Sequence, residues 1–386
     1  MTKLEIPTNP GGSLRPEHVL GRNELIQRYW AALETQSIAL LAPRRVGKTS
    51  ITKRMIAYHP DGWIVHSRDL ENLDSLEGFV RALFEDVEEH VSRSTQVTTH
   101  ARKLLDSLGI TQLKDFHFKP QSLDWRRLLD HVFKDLDELA LQRDEKFVLF
   151  WDEFTYFLSE LANEGREREA MDLLDALRAA RQRYLHVRMV LTGSIGLPEV
   201  ERRLRAAGHN NRALNDVAAH IVPLFDEANA RIVIGALFRG AKLPASAALS
   251  DAIYRVSEGH PMLIQLLIER LKRSERPSPE AVDTIFTELI EPPGDPLDLR
   301  HYIDRLPANF PAEQLEPVYA VLDHVALHPE QTPTAMLSAL DLDRTALTNL
   351  LRHLTDDFYL VKVRESRGYR FRFGFLRRFW IEERGL

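Results

Sequence analysis

Ile38-Ala-Leu-Leu-Ala-Pro-Arg-Arg-Val-Gly-Lys-Thr-Ser50 is the stretch on which the fold turns. Ile38 to Leu41 is a short apolar run, the pattern of a strand buried on both faces of a parallel sheet. Turn residues follow. Lys48 then opens a helix that carries Ile51, Met55 and Ile56 inward and stops before Pro60, whose missing N–H ends helical pairing. Strand, turn and helix with Gly47-Lys48-Thr49 at the turn make the layout of a phosphate-binding loop. Such a loop aims consecutive backbone N–H groups at phosphate oxygens from a helix N-terminus, with a lysine in reach. Pro43, Arg44, Arg45, Val46, Gly47 and Ser50 would form the cradle, Lys48 would meet the β- and γ-phosphates, and the Thr49 hydroxyl would serve Mg²⁺. The pattern opens on glycine elsewhere and on Ala42 here. Gly-Lys-Thr alone is a weak signal that chance supplies; the strand before it and the helix after it are what strengthen it.

Composition sets the bounds around this loop. A chain of 386 residues suits two or three domains. A hydrophobic fraction of 44% is that of an ordinary globular protein. A net charge of −6 excludes a general polycation, so any basic surface is local. The absence of cysteine excludes disulfides, thiol catalysis and Cys-ligated zinc, and fits a reducing compartment. No apolar run reaches the roughly 18 residues of a membrane span. The first residues lack a signal-peptide core. The expected location is the cytoplasm, with no membrane contact.

Strands and helices alternate along the first part of the chain. Leu25, Ile26, Tyr29, Trp30 and Leu33 recur at helical spacing. Trp63 to His66, Phe147 to Trp151 and Val187 to Gly193 read as strands, with a weaker one at Ala219 to Val222. Residues 73–143 read as mostly helical, with polar breaks at 92–99 and 111–122. This alternation predicts an α/β doubly wound parallel sheet. From Glu227 onward the pattern is helical. The expected division is a lead-in over 1–18, a P-loop α/β core over 19–225, a helical lid over 226–289, a Pro-rich linker over 290–310, and a C-terminal domain over 311–386. In the last, short helices over 315–326, 333–339 and 344–354 precede alternating strands either side of Ser366-Arg367-Gly368, which predicts a winged helix-turn-helix.

Two further signals follow the loop. The apolar strand Phe147 to Trp151 ends on Asp152-Glu153. At the C-terminal end of a central strand, Asp152 can hold Mg²⁺ through water and Glu153 can polarise the attacking water, which is most of what phosphoryl transfer asks of a protein. The bland reading is a solvated acidic turn, which carries less weight downstream of a P-loop. Thr192 and Ser194 end the strand expected beside the loop strand, where a hydroxyl can sense the γ-phosphate; a strand cap is an equal reading on local grounds. The histidines are scattered, without metal-ligand spacing.

With these signals in order, the chain resembles the P-loop ATPases of the AAA+/STAND group, in particular the archaeal-type ATPase family. The resemblance spans about residues 15–285 and rests on LGRNEL, LAPRRVGKTS, FVLFWDEF, VLTGSIG, LNDV with VPLFDEANA, and EGHPMLIQLL. It implies a P-loop AAA+/STAND-type parallel sheet with a helical lid, ATP and Mg²⁺ as ligands, Lys48, Asp152 and Glu153 as catalytic residues, and Thr192 and Ser194 as sensors. By resemblance Gly21 and Arg22 line the adenine side, and His260-Pro261 is the lid motif that approaches base or ribose. Arg44 and Arg45 match the family's loop. Arg202, Arg203, Arg205 and Arg212 are candidates for an arginine acting on a neighbouring copy, against the blander reading of a solvated basic helix face. The resemblance also implies an ATP-dependent switch in signalling or defence, with self-association on ATP binding or a separately encoded effector as partner.

The C-terminal domain leaves its ligand open. The second helix of its helix-turn-helix carries Arg344 and Arg352 among flanking aspartates, little charge for reading a duplex. The hairpin is more basic. Arg364, Arg367, Arg370 and Arg372 interleave with Tyr369, Phe371 and Phe373, and alternation puts Arg370 and Arg372 on one face. Either the arginines are solvated behind inward aromatics, or they contact duplex DNA or a protein partner.

Overall fold

The computed structural model describes residues 4–92, 100–107, 125–193, 197–209, 211–244, 246–291 and 294–386. Ser194, Pro292, Pro293 and nearly all of the polar breaks at 92–99 and 111–122 lie outside these residues. Two compact units form. One comprises residues 24–41 and 51–221; the other comprises residues 1–23, 42–50 and 222–386.

The first unit is built on a parallel sheet. Its strands are β1 (Ile38–Leu41), β2 (Trp63–Asp69), β3 (Lys146–Asp152), β4 (Val187–Gly193) and β5 (Ala218–Ile221), in the order β2-β3-β4-β1-β5. All pairs are parallel. β1 is buried throughout, as its unbroken apolar run requires. From β1 the chain runs to the edge strand β2, returns through β3 and β4, and then passes β1 to reach β5 on its other side, so the order of connection reverses beside β1 and β4, where α/β sheets present their C-terminal ends to ligands. In register, Leu41 faces Gly193 across β1–β4, and Trp151 faces Leu191 across β3–β4. The ends of β1, β3 and β4 are therefore neighbours.

Buried polar groups lock this frame. Arg188 in β4 donates from Nε to Leu33 O at 2.9 Å, satisfying a carbonyl at the end of the helix Asn23–Leu33. Arg181 is buried and donates to both carboxylate oxygens of Asp216, at 3.0 and 2.8 Å, and to Ala213 O. The LNDV motif thus anchors the entrance to β5. Aromatic rings fill the interior: Phe79 meets Trp151 edge-on at 5.1 Å, and Trp30 lies 5.2 Å from Trp63.

The second unit has one continuous apolar core. It runs through the helices Glu227–Ala241, Ala247–Ser257, Pro261–Leu271 and Pro279–Ile290, and on through Ala312–Leu327, Pro333–Ala339, Arg344–Asp356 and Gly374–Arg384. The stretch expected as a linker folds into the short helices Arg300–Asp304 and Leu306–Asn309 and buries Leu297, Leu299, Tyr302 and Leu306 in the same core. Asp226, Ser246, His260, Ser278, Thr332 and Asp343 each cap the helix that follows by accepting from its backbone. β6 (Leu360–Lys362) and β7 (Tyr369–Phe371) pair antiparallel after three helices, the order of elements expected for a winged helix. Trp380 of the last helix is fully buried and donates to Asp323 at 2.7 Å, tying the end of the chain to the first helix of the wing domain.

The N-terminal lead-in is not loose. Ile6 is buried and donates to Ala236 O at 3.2 Å, and a Cβ on Gly240 would lie 2.0 Å from Ile6 O. Only glycine lets this strap lie against the helix Glu227–Ala241. Asn9 donates to Gln265 Oε1 at 2.9 Å, carrying the strap on to the helix Pro261–Leu271.

Candidate nucleotide site

The loop 42–50 leaves β1 at the C-terminal end of the sheet and opens the helix Lys48–Ala57. Ala42, Pro43, Val46 and Lys48 are buried, while Arg44, Arg45 and Thr49 are exposed. Lys48 Nζ donates to Ala42 O at 2.6 Å and to Pro43 O at 3.3 Å, so the lysine folds back over the first turn. Positive φ falls at Arg45 (66°) and Gly47 (96°), not at Ala42. That accounts for the alanine: its position needs no left-handed backbone. Gly47 does, because φ of 96° strains any side chain even though a Cβ there would meet nothing within 4 Å.

At the end of β3, Asp152 and Glu153 are both half-buried. Glu153 takes left-handed backbone, φ 53° and ψ 28°, as the residue before the helix Phe154–Asn163. Non-glycine residues hold this conformation at about 1–2 kcal/mol, and such strain gathers at functional sites. Thr192 of β4 donates from Oγ1 to Asp152 Oδ1, and the Glu153 N–H donates to the same oxygen at 3.2 Å. The expected sensor and the expected metal carboxylate are therefore directly bonded. Gly193 permits this: a Cβ there would lie 1.8 Å from Thr155 Oγ1, and Thr155 is 1% exposed. Ser194, the other expected sensor, lies outside the described residues.

In the second unit, residues 21–22, 223–225, 258–263 and 373–375 come together. Gly21 has φ 67°, and a Cβ there would press on Phe225 and Asn229 at 3.1–3.3 Å. Arg22 is buried, stacks over the Phe225 ring at 4.0 Å and donates to Pro223 O at 2.8 Å. Phe225 also donates its N–H to Gly259 O at 3.0 Å. Next to it His260 caps the helix Pro261–Leu271, with Nδ1 accepting from Leu263 N at 3.3 Å. Burial, with Arg45 and Arg22 as neighbouring positive charges, pushes His260 down to about 3, so the ring is neutral. Its faces are edged by Phe375 at 5.1 Å and Phe373 at 5.9 Å. Between those rings, the Gly374 N–H donates to Glu258 Oε1 at 2.6 Å, a carboxylate at the start of the last helix. Burial pushes Glu258 up, opposed by that hydrogen bond and by Arg370.

The remaining arginines separate by environment. Arg202 pairs with Glu199; Arg203 donates to Ser159 Oγ at 2.9 Å; Arg205 pairs with Glu201 at 2.8 Å; Arg212 is exposed. In the wing, Arg364, Arg367 and Arg370 are exposed. β7 ends at Phe371, and Arg372 just beyond it is half-buried over the Phe358 ring at 4.8 Å, close enough to Arg370 to feel its charge. Burial lowers its pKa. The contacts of Phe225, Phe373 and Phe375 with Arg22 and His260 are not visible in the sequence, because aromatic residues read as core wherever they fall.

No protein-family model matches the sequence, and no curated protein does. Solved structures do. The Walker-type ATPase of Pyrococcus abyssi is similar over 97% of this chain and 99% of its own, with a TM-score of 0.65 at 16% identity. The chain has the fold of that Walker-type ATPase. The ORC2 protein of Aeropyrum pernix covers 95% of each chain at 11% identity, TM-score 0.49, and the RuvB branch migration motor of Thermotoga maritima covers 90% of each at 12%, TM-score 0.39. The loop 42–50 follows β1, while Asp152-Glu153 closes β3 and Thr192 lies near the end of β4. Among the described residues no helix is long and apolar enough to cross a membrane.

Proposed function

We propose that this protein binds and hydrolyses ATP with Mg²⁺ and acts as a switch whose nucleotide state is read by the winged helix. The observation that carries this is the bond from Thr192 to Asp152, which joins the end of β4, the strand beside the one that feeds Gly47-Lys48-Thr49, to the end of β3. Lys48 and the loop N–H groups bind the phosphates. The donors fit the metal: the Thr49 hydroxyl and the Asp152 carboxylate are hard oxygens of the kind Mg²⁺ takes, with water and phosphate completing its shell. Bound Mg²⁺ supplies charge neutralisation on the phosphates. Glu153 is the general base. In this reading Asp152 serves the metal and Glu153 the attacking water. Arg22, braced on Phe225, and His260-Pro261 shape the adenine side.

Self-association on ATP binding and a separately encoded effector remain part of this reading, as does a role in signalling or defence of the STAND kind. A second reading has duplex DNA as the wing's partner. It is favoured by the exposed Arg364, Arg367 and Arg370, together with Arg344, Thr348 and Arg352 spaced at one helical turn on the exposed face of the helix Arg344–Asp356. The nucleotide reading is tested by calorimetric titration with Mg-ATP. Wild type binds, and Lys48→Ala binds at least about tenfold more weakly, the loss of one charge-assisted phosphate contact. Equal affinity in the two proteins would remove the loop from the site.

A further inference from the structure

The loop 42–50 grows out of β1, yet it packs into the unit that holds the lid and the winged helix. Its two arginines show how. Arg44 Nη1 lies 3.6 Å from Asp298 Oδ2, in the connector between lid and winged helix. Arg45 Nη1 lies 3.6 Å from where a Cβ on Gly11 would stand, beside Met262, and its charge acts on His260. The connector is shaped for its part. Asp295 accepts from Leu299 N at 2.7 Å and Arg300 N at 2.8 Å, closing a tight turn. That turn holds Asp298 at φ 59°, with its carboxylate toward Arg44. Beyond it, His301 sits near Arg44 and is pushed down to about 4, by burial first and then by Arg44 and Arg305. The connector continues into Arg305, which donates to Tyr359 Oη at 2.8 Å at the root of the wing. A path of bonded or packed groups thus runs from the phosphate loop through Asp298 and the connector to the winged helix.

We propose that Arg44–Asp298 is a nucleotide-sensitive clasp: the triphosphate competes with Asp298 for the Arg44 guanidinium, and its binding releases the connector that carries the winged helix. This rests on the nucleotide reading of the loop. A guanidinium shared between a single carboxylate and a polyphosphate goes to the higher charge density. The pair is partly exposed, with side chains 47% and 34% accessible, so its strength is that of a surface ion pair. That is the right range for a contact meant to be broken by a ligand.

The test uses the full chain and Asp298→Asn. Asparagine keeps the shape and tolerates the left-handed backbone at this position. The clasp predicts that Asp298→Asn binds Mg-ATP about two- to fivefold more tightly than wild type. It also predicts that Mg-ATP speeds amide hydrogen exchange of residues 294–306 in wild type, and that Asp298→Asn exchanges fast there with or without it. Wild type that binds Mg-ATP with exchange over 294–306 unchanged would overturn the clasp and leave the nucleotide reading standing, as would unaltered affinity in Asp298→Asn. Wild type that fails to bind Mg-ATP would overturn both. The wild-type exchange arm decides the matter even where the variant folds poorly.

Discussion

Gly193→Ala is the change for which the structure gives the clearest expectation. An alanine Cβ there would stand 1.8 Å from Thr155 Oγ1, 2.9 Å from Thr155 Cβ and 3.2 Å from Thr155 N. Thr155 is 1% exposed, in the first turn of the helix Phe154–Asn163, so it has nowhere to swing. Either β4 or the helix start must shift. Overpacking of this kind costs about 1–3 kcal/mol, which for a unit of this size lowers Tm by about 2–12 °C. The shift falls on Thr192, next to Gly193, and on Glu153, which starts the helix of Thr155, so ATP turnover drops by about tenfold to a hundredfold. Thr155→Ala removes the nearest contact. The double variant is therefore more stable than the sum of the single changes by about 1 kcal/mol or more, a coupling that a double-mutant cycle reads directly. Thermal melts by circular dichroism and steady-state turnover on the four proteins make the measurement. Additive effects, or Gly193→Ala with wild-type Tm and turnover, would refute the packing argument.

Other outcomes follow from the same geometry. His260 is held near 3 when folded and takes its proton near 6.5 when unfolded, so the unfolded state gains protons first as pH falls through that window. The stability it lends is whole above pH 6.5 and declines toward pH 3. His260→Asn, which keeps a capping acceptor, shows a flatter fall of Tm between pH 6.5 and 4, and equal slopes in the two proteins would contradict this. His301 adds a parallel fall that the variant retains. If duplex DNA is the wing's partner, replacing Arg364, Arg367 and Arg370 by alanine lowers the slope of log affinity against log salt by about 2–3, and an unchanged slope in a filter-binding series would exclude the wing from that contact. Arg372→Ala instead lowers Tm, because its guanidinium packs on Phe358 rather than facing solvent.

The elements nearest the site were legible because their signals are local. An apolar run closed by turn residues is enough to find β1, β3 and β4, and the loop's helix is marked by Lys48 at one end and Pro60 at the other. The expectation that the Thr192 strand lies beside the loop strand holds: Leu40 is in register with Thr192. What sequence could not show depends on partners far apart in the chain. The strap needs Ile6 to meet Gly240, and Arg22 needs Phe225; neither pairing leaves a trace in any short window. Pro292 to Pro296 reads as an open linker by composition, yet the residues just after it carry Leu297, Leu299, Tyr302 and Leu306 into the core. Ala42 is explained by the backbone, since the left-handed positions of the loop are Arg45 and Gly47.

The account stands most directly on Glu153. Replacing it by glutamine keeps size and hydrogen bonding and removes the base. Mg-ATP affinity by calorimetry and turnover by phosphate release, measured on the same preparation, separate its role from binding. Affinity stays within about twofold of wild type, and turnover falls by about 10²–10⁴. Wild-type turnover in Glu153→Gln would contradict it.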